Sequence, residues 1–233
     1  MQISGINKFS MIDYPGEISC IVFTPGCNFR CGFCHNSEFV LAEKLKYVYK
    51  NLIYEKAFFN FLEQRKGLLT GVSICGGEPT LQNDLIEFCE KVKSMGFLLK
   101  LDTNGRDPDK VRQLLERGLV DYIAMDIKNE IGKFGISAGI KLDEKPYLES
   151  IDIILNSDID YEFRTTVIKG VHNKSTIENI CKHIFGAKNY YLQNYKSGNN
   201  LDNNFVGESF NLYELEDFRN IGIKYVQSVG IRN

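Results

Sequence analysis

The hydrophobic and polar positions of the chain follow two alternating patterns. Short runs of apolar and β-branched residues, typical of buried strands, are separated by stretches in which apolar residues recur with helical spacing. The predicted strands are Ile18–Thr24, Gly71–Cys75, Phe97–Leu101, Tyr122–Ile127, Tyr161–Ile168 and Tyr190–Gln193. The predicted helices are residues 54–66, 83–95, 108–117, 147–157 and 175–185, with a last helix near 211–221 and a last strand near 224–229.

Turn and capping residues support these helix boundaries. Glycine suits the left-handed position after a helix, and four predicted helices are followed by one: Gly67, Gly96, Gly118 and Gly186. Asp107 before Pro108 is a predicted N-cap with proline at the first helical position. Ser175 and Glu178 have the spacing of a capping box.

The alternation of strands and helices predicts the α/β class. Such repetition builds a parallel sheet through right-handed crossovers. Six units are fewer than a closed eight-fold barrel needs, so we expect a partial (β/α)6 TIM-like barrel with an open mouth. A doubly wound open sheet is the alternative. A length of 233 residues fits a single domain, with a core of about residues 16–194 and a C-terminal extension of 195–233.

Three cysteines lie in one short loop after the first predicted strand. Cys27, Cys31 and Cys34 have the spacing C-x3-C-x2-C, and three thiolates this close can hold three corners of a cubane iron–sulfur cluster. A fourth cysteine is missing nearby, so one iron would keep an open position. An open metal position favours catalysis over electron storage.

Two other interpretations of the cysteines stay open. Zinc could bind the three cysteines and His35, although His35 adjoins Cys34 and closes a tetrahedron poorly. A disulfide with a spare thiol is the second, but seven cysteines are an odd number and no secretory signal is present. The remaining cysteines lie singly in apolar surroundings and are predicted to be buried: Cys20, Cys75, Cys89 and Cys181.

The charge and hydropathy of the chain limit its partners. A net charge of −2 gives no electrostatic case for nucleic acid or an anionic membrane, and pairs such as Lys44 and Lys46 are interpreted as solvated faces. The start of the chain lacks the pattern of a signal peptide, and no apolar run is long enough to span a bilayer. We therefore expect a cytoplasmic protein with no nucleic-acid or membrane partner.

Polar residues cluster where the predicted strands end, as ligand sites do in parallel α/β folds. Gly76, Gly77 and Glu78 follow the second predicted strand, Asp102, Thr103 and Asn104 the third, and Asp126 and Lys128 the fourth. Glu162 and Arg164 belong to the fifth predicted strand and Gln193 to the sixth. Two adjacent glycines let a ligand approach the backbone closely. Glu78 and Asp102 could hold an ammonium group and Lys128 a carboxylate, which together describe an α-amino acid.

These motifs resemble those of a known family. The cysteine loop followed by Gly-Gly-Glu is similar to the radical S-adenosylmethionine (SAM) enzymes. The resemblance extends over residues 9–16 (FSMIDYPG), 24–31 (TPGCNFRC), 76–82 (GGEPTLQ), 100–105 (KLDTNG), 124–128 (AMDIK) and 162–167 (EFRTTV). Together these segments resemble activating enzymes of glycyl-radical proteins, and most of all those that serve anaerobic ribonucleoside-triphosphate reductase.

The resemblance implies one [4Fe-4S] cluster on Cys27, Cys31 and Cys34, with SAM on the fourth iron. Reduction by flavodoxin or ferredoxin would cleave SAM to methionine and a 5′-deoxyadenosyl radical, which takes a hydrogen atom from a glycine of the partner enzyme. The implied cofactor-binding residues are Gly76, Gly77, Glu78, Asp102, Thr103, Asn104, Asp126, Lys128 and Arg164. The first three would cradle the methionine end, and Lys128 would face the cofactor carboxylate. Asp102, Thr103 and Asp126 resemble a monovalent-cation site.

The segment after the cysteine loop departs from some members of that family. Residues 37–70 contain no cysteine, so we expect a single cluster and no ferredoxin-like insert. The alternatives are an activase of pyruvate formate-lyase type, a radical SAM enzyme with a small-molecule substrate, and a metal-binding adaptor without catalysis. The polar segments 129–146 and 195–210 are hypothetical docking elements for the partner enzyme. His172 is expected to be a solvent-facing loop residue.

Overall fold

The chain forms two compact units. The computed structural model describes residues 1–198, 200–202 and 204–233. The first unit consists of Met1–Asn28, Asn36–Thr103 and Asp109–Ile123, and the second of Phe29–His35, Asn104–Pro108 and Ala124–Asn233. The assignment of the whole chain to a single domain stays a prediction.

Strands and helices alternate along the described residues. The strands are β1 (Gly5–Ser10), β2 (Ser19–Thr24), β3 (Gly71–Gly76), β4 (Leu98–Thr103), β5 (Tyr122–Asp126), β6 (Asp160–Val167), β7 (Tyr190–Asn194) and β8 (Val229–Arg232). The helices are α1 (Ala42–Lys50), α2 (Glu55–Glu63), α3 (Leu85–Ser94), α4 (Pro108–Glu116), α5 (Phe134–Ala138), α6 (Lys145–Leu155), α7 (Lys174–His183) and α8 (Leu212–Gly222). Short 3-10 helices span Ser37–Phe39 and Pro79–Leu81.

The sheet of the first unit contains β1 to β4. β1 pairs antiparallel with β2, whereas β2 with β3 and β3 with β4 are parallel pairs. β2 and β3 are buried along nearly all of their length, as expected for parallel strands covered on both faces. α3 contacts β4 and buries Leu85, Phe88 and Val92 on one face.

In the second unit, β6, β7 and β8 form parallel pairs. β6 buries Tyr161, Phe163 and Val167. α7 contributes the buried side chains Ile177 and Ile180 and contacts α8, which in turn contacts β7 and β8. These apolar contacts form the core that supports the ends of β5 and β6, where the polar residues lie.

The predicted α/β class with a parallel sheet is confirmed. Within each unit the parallel pairs follow the chain order, from β2 to β4 in the first and from β6 to β8 in the second. Gly96 and Gly118 have positive φ directly after the cap residues of α3 and α4, as predicted from the sequence.

Five local features differ from the predictions, the first being the short helix α5, where no helix was predicted. β1 was missed because only Ser10 among its six residues is buried, so it has no apolar run. α1 was missed because none of its residues is buried. The last strand begins at Val229, since residues 224–226 continue the turn after α8. The Ser175 capping box is wrong: α7 is capped by Asn173, whose side chain accepts from the Thr176 N–H at 3.0 Å.

Phe58 of α2 is expected to be a major stabilising residue of the first unit. It is fully buried, and its ring stacks on Phe88 at 5.5 Å between centroids. Phe58→Ala should lower the free energy of unfolding by about 3–5 kcal/mol, because it removes this ring and leaves a cavity. Urea titration followed by far-UV circular dichroism measures the change. Phe185→Ala, at a residue that is 69% exposed, is the control and should change it by less than about 0.5 kcal/mol. Equal losses in both variants would contradict this account of the core.

Candidate active site

The cysteine loop follows β2 and contains neither helix nor strand from Pro25 to Asn36. Cys31 is buried, and Cys27 and Cys34 are partly exposed. A backbone hydrogen bond from the Cys34 N–H to the Cys31 carbonyl, 3.0 Å long, closes a turn between these two residues. No disulfide joins any of the seven cysteines, all of which are among the described residues.

Four cysteines were predicted to be buried outside this loop, and three of them are. Cys20, Cys89 and Cys181 are buried, and burial raises the pKa of each thiol to about 12. Such thiols are inert at neutral pH. Cys75 is partly exposed, so the prediction for this residue is wrong.

The end of β3 holds the start of the cysteine loop in the first unit. The Gly77 N–H donates to the Thr24 carbonyl at 2.8 Å, and the Glu78 N–H donates to the Gly26 carbonyl at 2.7 Å. A Cβ atom on Gly77 would lie 1.8 Å from the Gly26 carbonyl oxygen, and Gly76 has φ of 117°. Glycine at 76 and 77 is therefore required by the backbone of the loop itself, apart from any ligand.

Glu78 connects the end of β3 to the end of β4. Its side chain is 1% exposed, and one carboxylate oxygen accepts from the Thr80 N–H at 3.1 Å, the Thr80 hydroxyl at 2.7 Å and the Thr103 hydroxyl at 2.8 Å. Three donors on a single oxygen compensate the burial of the charge. Asp102, next to Thr103, forms an ion pair with the buried Lys100.

Asp126 is the centre of a charged cluster in the second unit. Its two carboxylate oxygens accept from Lys128 Nζ and Arg164 Nε, each at 2.8 Å. Burial alone would raise the pKa of Asp126, but the two cations outweigh it and hold this pKa well below its usual range. The sequence predicted all three residues, and the structure brings them together.

Lys128 also acts on the cysteine loop. Burial raises the pKa of the Cys31 thiol to about 11, whereas the positive charge of Lys128 lowers it, and Cys34 and Asp126 add to the rise. Lys128 Nζ lies 5.8 Å from the centre of the Phe33 ring within the same loop. Since metals bind the thiolate form, Lys128 favours the state of Cys31 that a cluster needs.

A buried ion pair that the sequence did not predict supports Arg164. Glu162 is 1% exposed and accepts two hydrogen bonds of 2.7 Å from Arg232, and the Arg164 guanidinium lies 3.9 Å away. The Arg232 guanidinium also lies 3.7 Å from the centre of the Tyr191 ring. Arg232 was missed because the last strand was predicted too early, and only the pairing of β7 with β8 reveals its position.

His172 is buried, so the prediction of a solvent-facing residue is wrong. Its side chain is 3% exposed. Nδ1 accepts from the Ile168 N–H at 3.1 Å, and Nε2 lies 3.1 Å from the Lys128 carbonyl, to which it donates in the matching neutral tautomer. Burial lowers the pKa of His172, which keeps it neutral. The ring thereby fixes the backbone of Lys128.

Parts of the two polar segments pack against the cysteine loop. The Arg30 N–H donates to the Ala138 carbonyl at 2.7 Å, within segment 129–146. The Asp202 N–H donates to the Gly32 carbonyl at 3.1 Å, and Phe205 lies 5.9 Å from Phe33, within segment 195–210. Asn199 and Asn203 of that segment lie outside the described residues. The side chain of Asn104 accepts from the Arg106 N–H at 3.0 Å.

The donor chemistry of the cysteine loop fits an iron–sulfur cluster. Thiolates are the usual protein ligands of such clusters, and the Lys128 charge favours thiolate at Cys31. No three or more His, Cys, Asp or Glu side chains among the described residues surround a single metal ion. A cubane makes a different demand, because each cysteine binds its own iron. Within the described parts of the chain, no helix has the length and apolar character needed to cross a membrane.

Sequence comparisons place the chain in a family. The sequence model of the Radical SAM superfamily matches residues 21–184, which contain the three cysteines and all predicted cofactor-binding residues. A Methanocaldococcus jannaschii protein, named for glycyl-radical enzyme activation, is 32% identical over 99% of this chain and 95% of its own length. The chain belongs to the glycyl-radical-enzyme activating enzymes of the radical SAM superfamily. Pyruvate formate-lyase-activating enzyme of Clostridium pasteurianum is 27% identical over 81% of this activating enzyme and 85% of its own length.

Solved structures share the fold of this radical SAM chain. SuiB of Streptococcus suis has a TM-score of 0.69 at 15% identity, over 91% of this chain and 49% of SuiB. Coproporphyrinogen III oxidase of Escherichia coli has a TM-score of 0.60 at 14% identity, over 91% of this chain and 53% of the oxidase. The chain therefore spans about half the length of these two proteins, and the likeness concerns the fold.

Asp126 is expected to stabilise the second unit in a pH-dependent manner. Asp126→Asn should lower the free energy of unfolding by about 3–5 kcal/mol at pH 7, because it leaves Lys128 and Arg164 buried without their carboxylate. A carboxyl with a depressed folded pKa contributes fully above the unfolded pKa of about 3.9, and this contribution is lost as the pH falls toward the folded value. The difference between wild type and variant, from urea titrations, should be constant from pH 7 to 5 and shrink below about pH 4.

Asp158→Asn, at an exposed carboxylate, serves as the control and should match wild type throughout this range. A difference between wild type and Asp126→Asn that stays constant down to pH 3 would contradict the ion-pair explanation.

Proposed function

We propose that this activating enzyme generates a glycyl radical on anaerobic ribonucleoside-triphosphate reductase. The observation that carries the activation of a glycyl-radical enzyme is the match to a relative named for that activity over 99% of this chain. The segments GGEPTLQ, KLDTNG, AMDIK and EFRTTV, which narrow the resemblance to activases of that reductase, support the choice of partner.

Cys27, Cys31 and Cys34 are the proposed ligands and catalytic residues, holding one [4Fe-4S] cluster. A cluster held by these cysteines would supply the electron for cleavage of SAM to methionine and a 5′-deoxyadenosyl radical, and this radical would take a hydrogen atom from the partner's glycine. The buried positive charge of Lys128 stabilises the Cys31 thiolate. Phe29 and Phe33 lie between Cys27 and Cys34 in the sequence. Both side chains are buried and limit the access of water to the loop.

The SAM-binding residues are proposed to be those that the sequence motifs indicate. They are Gly76, Gly77, Glu78, Asp102, Thr103, Asn104, Asp126, Lys128 and Arg164. Glu78 carries a buried negative charge suited to an ammonium group, and Lys128 and Arg164 carry positive charges suited to a carboxylate. Because Lys128 and Arg164 already bind Asp126, a ligand carboxylate would share them with this residue.

A monovalent cation near Asp102, Thr103 and Asp126 is also proposed, since hydroxyl and carboxylate oxygens are its usual ligands. Asp102 already binds Lys100, and Asp126 binds Lys128 and Arg164. Because an ionised carboxylate has about four lone-pair positions, either side chain would share its oxygens between its present cationic partners and the ion.

The electron donor is proposed to be flavodoxin or ferredoxin, and the place of action the cytoplasm. A cluster with one iron open to a ligand needs reducing surroundings and a protein that supplies single electrons. Both requirements suit a cytoplasmic redox carrier.

An activase of pyruvate formate-lyase type is the second candidate. The match to the enzyme of Clostridium pasteurianum, over 85% of that protein, favours it. The two candidates differ only in the protein whose glycine is oxidised, so the partner has to be tested directly.

Cys31→Ala should abolish the cleavage of SAM. The change removes one of the three proposed cluster ligands, and the expected loss is at least about a hundredfold, of the size seen when metal-site residues are removed. The measurement is 5′-deoxyadenosine formed by anaerobically reconstituted, dithionite-reduced protein, followed by chromatography. Cys181→Ala removes a buried thiol outside the loop and should retain cleavage. Equal cleavage by wild type and Cys31→Ala would refute the cluster assignment.

The partner test compares two glycyl-radical enzymes under the same reduced conditions. Electron paramagnetic resonance should detect a glycyl radical on anaerobic ribonucleoside-triphosphate reductase and none on pyruvate formate-lyase. The matched sample is the protein with Cys31→Ala, which should give no signal with either. A radical on the lyase alone would replace the first candidate by the second.

A further inference from the structure

Helix α1 is an exposed helix with positive charge. None of its nine described residues is buried. It carries Lys44, Lys46 and Lys50 against the single carboxylate of Glu43. Lys46 and Lys50 form no ion pair with any residue that the structure describes. In a chain whose net charge is −2, this concentration of positive charge is local and cannot arise from a generally basic surface.

The same helix exposes aromatic surface. Tyr47 is 72% and Tyr49 is 47% exposed. Tyrosine is enriched at protein interfaces because it combines a large apolar ring with a polar end and few rotatable bonds. Glu43, Lys46, Tyr47 and Lys50 have the i, i+3, i+4 and i+7 spacings that place them on one side of the helix, where two lysines outnumber one carboxylate. Tyr49 lies at the edge of that side, three residues after Lys46. A helix that buries none of its residues contributes little to a core, which leaves binding as an explanation for these side chains.

Helix α1 lies beside the start of the cysteine loop within the first unit. The Gly26 N–H donates to the Phe39 carbonyl at 2.8 Å, and Lys44 Nζ donates to the hydroxyl of buried Ser37 at 2.8 Å. The Tyr49 hydroxyl lies 3.9 Å from the position that a Cβ on Gly26 would take. Gly26 directly precedes Cys27, the first proposed cluster ligand.

We infer that the α1 face, consisting of Lys46, Tyr47 and Lys50 with Tyr49 at its edge, is the docking surface for an acidic protein that delivers single electrons. The inference rests on the proposed function, because that function requires one electron from outside the chain for each SAM cleaved. The electron leaves the reduced carrier, which becomes oxidised by one electron, and enters at the cysteine loop; no atom is transferred. Electron transfer slows steeply with distance, so a carrier must dock close to Cys27. Opposite charges on the two proteins would orient the encounter.

The first test measures binding to a purified flavodoxin of net negative charge. Isothermal titration calorimetry under anaerobic conditions gives the Kd for cluster-loaded wild type and for the variant Lys46→Glu/Lys50→Glu. At low ionic strength the variant should bind at least about tenfold more weakly, the lower end of the range for electrostatic steering. The difference should narrow at about 0.5 M salt, because salt screens exposed charges.

The matched control is Lys8→Glu/Lys224→Glu, which changes the net charge equally at two exposed lysines outside α1. It should bind as wild type does. Equal weakening in both double variants would overturn the inference, since it would show an effect of overall charge. Unchanged binding in the α1 variant would overturn it too. So would loss of binding to the glycyl-radical enzyme with flavodoxin binding retained, because α1 would then face that partner.

The second test separates this inference from the proposed function. Dithionite is a small reductant that needs no docking surface, so the α1 variant should cleave SAM with dithionite as fast as wild type does. With reduced flavodoxin as the donor, its rate should fall at least about tenfold at low salt, in parallel with the Kd. Absence of cleavage by wild type with dithionite would refute the proposed function. Normal cleavage by the variant with both reductants would refute only the docking surface.

Discussion

The cysteine loop depends on backbone contacts with other segments, because it has no secondary structure of its own. In the first unit the loop starts against the end of β3, where the carbonyls of Thr24 and Gly26 accept from Gly77 and Glu78. In the second unit Arg30 and Gly32 bond to Ala138 and Asp202. Hydrogen bonds that hold the backbone of a loop make the positions of its side chains more precise. In each unit these contacts act on the part of the loop that the unit contains, and a Cβ on Gly77 would collide with the Gly26 carbonyl oxygen.

In the second unit, burial and neighbouring positive charge have opposite effects on the ionisation of Cys31 and Asp126. The burial of Cys31 opposes the thiolate, and the burial of Asp126 opposes the carboxylate. Lys128 favours both anions, and its own backbone is held by the ring of His172. The anions beside Lys128 and Arg164 therefore stabilise these two buried positive charges. A ligand carboxylate could bind there without leaving a buried charge unpaired.

How far the sequence predicts this protein depends on the range of each interaction. Buried parallel strands such as β3 are predictable because their apolar runs are local, and the cysteine spacing is likewise local. Asp126, Lys128 and Arg164 could be predicted as a group because the ends of parallel strands meet at one edge. Arg232 and His172 could not, since each takes its role from a partner 70 or 44 residues away. The ligand-binding role of Gly76 and Gly77 stays a prediction. The close approach of Gly77 to the Gly26 carbonyl is a second reason for glycine at position 77, and no local sequence pattern shows it.

The contact between Arg232 and Glu162 gives the last strand an importance that its length does not suggest. Fraying of β8 would pull a guanidinium from a carboxylate that is 1% exposed, and water would have to enter the interior to replace it. Amide hydrogen exchange at β8 should thus be as slow as in the neighbouring interior strands. Loss of the Arg232 side chain would leave the buried carboxylate of Glu162 beside Arg164, which is itself bound to Asp126.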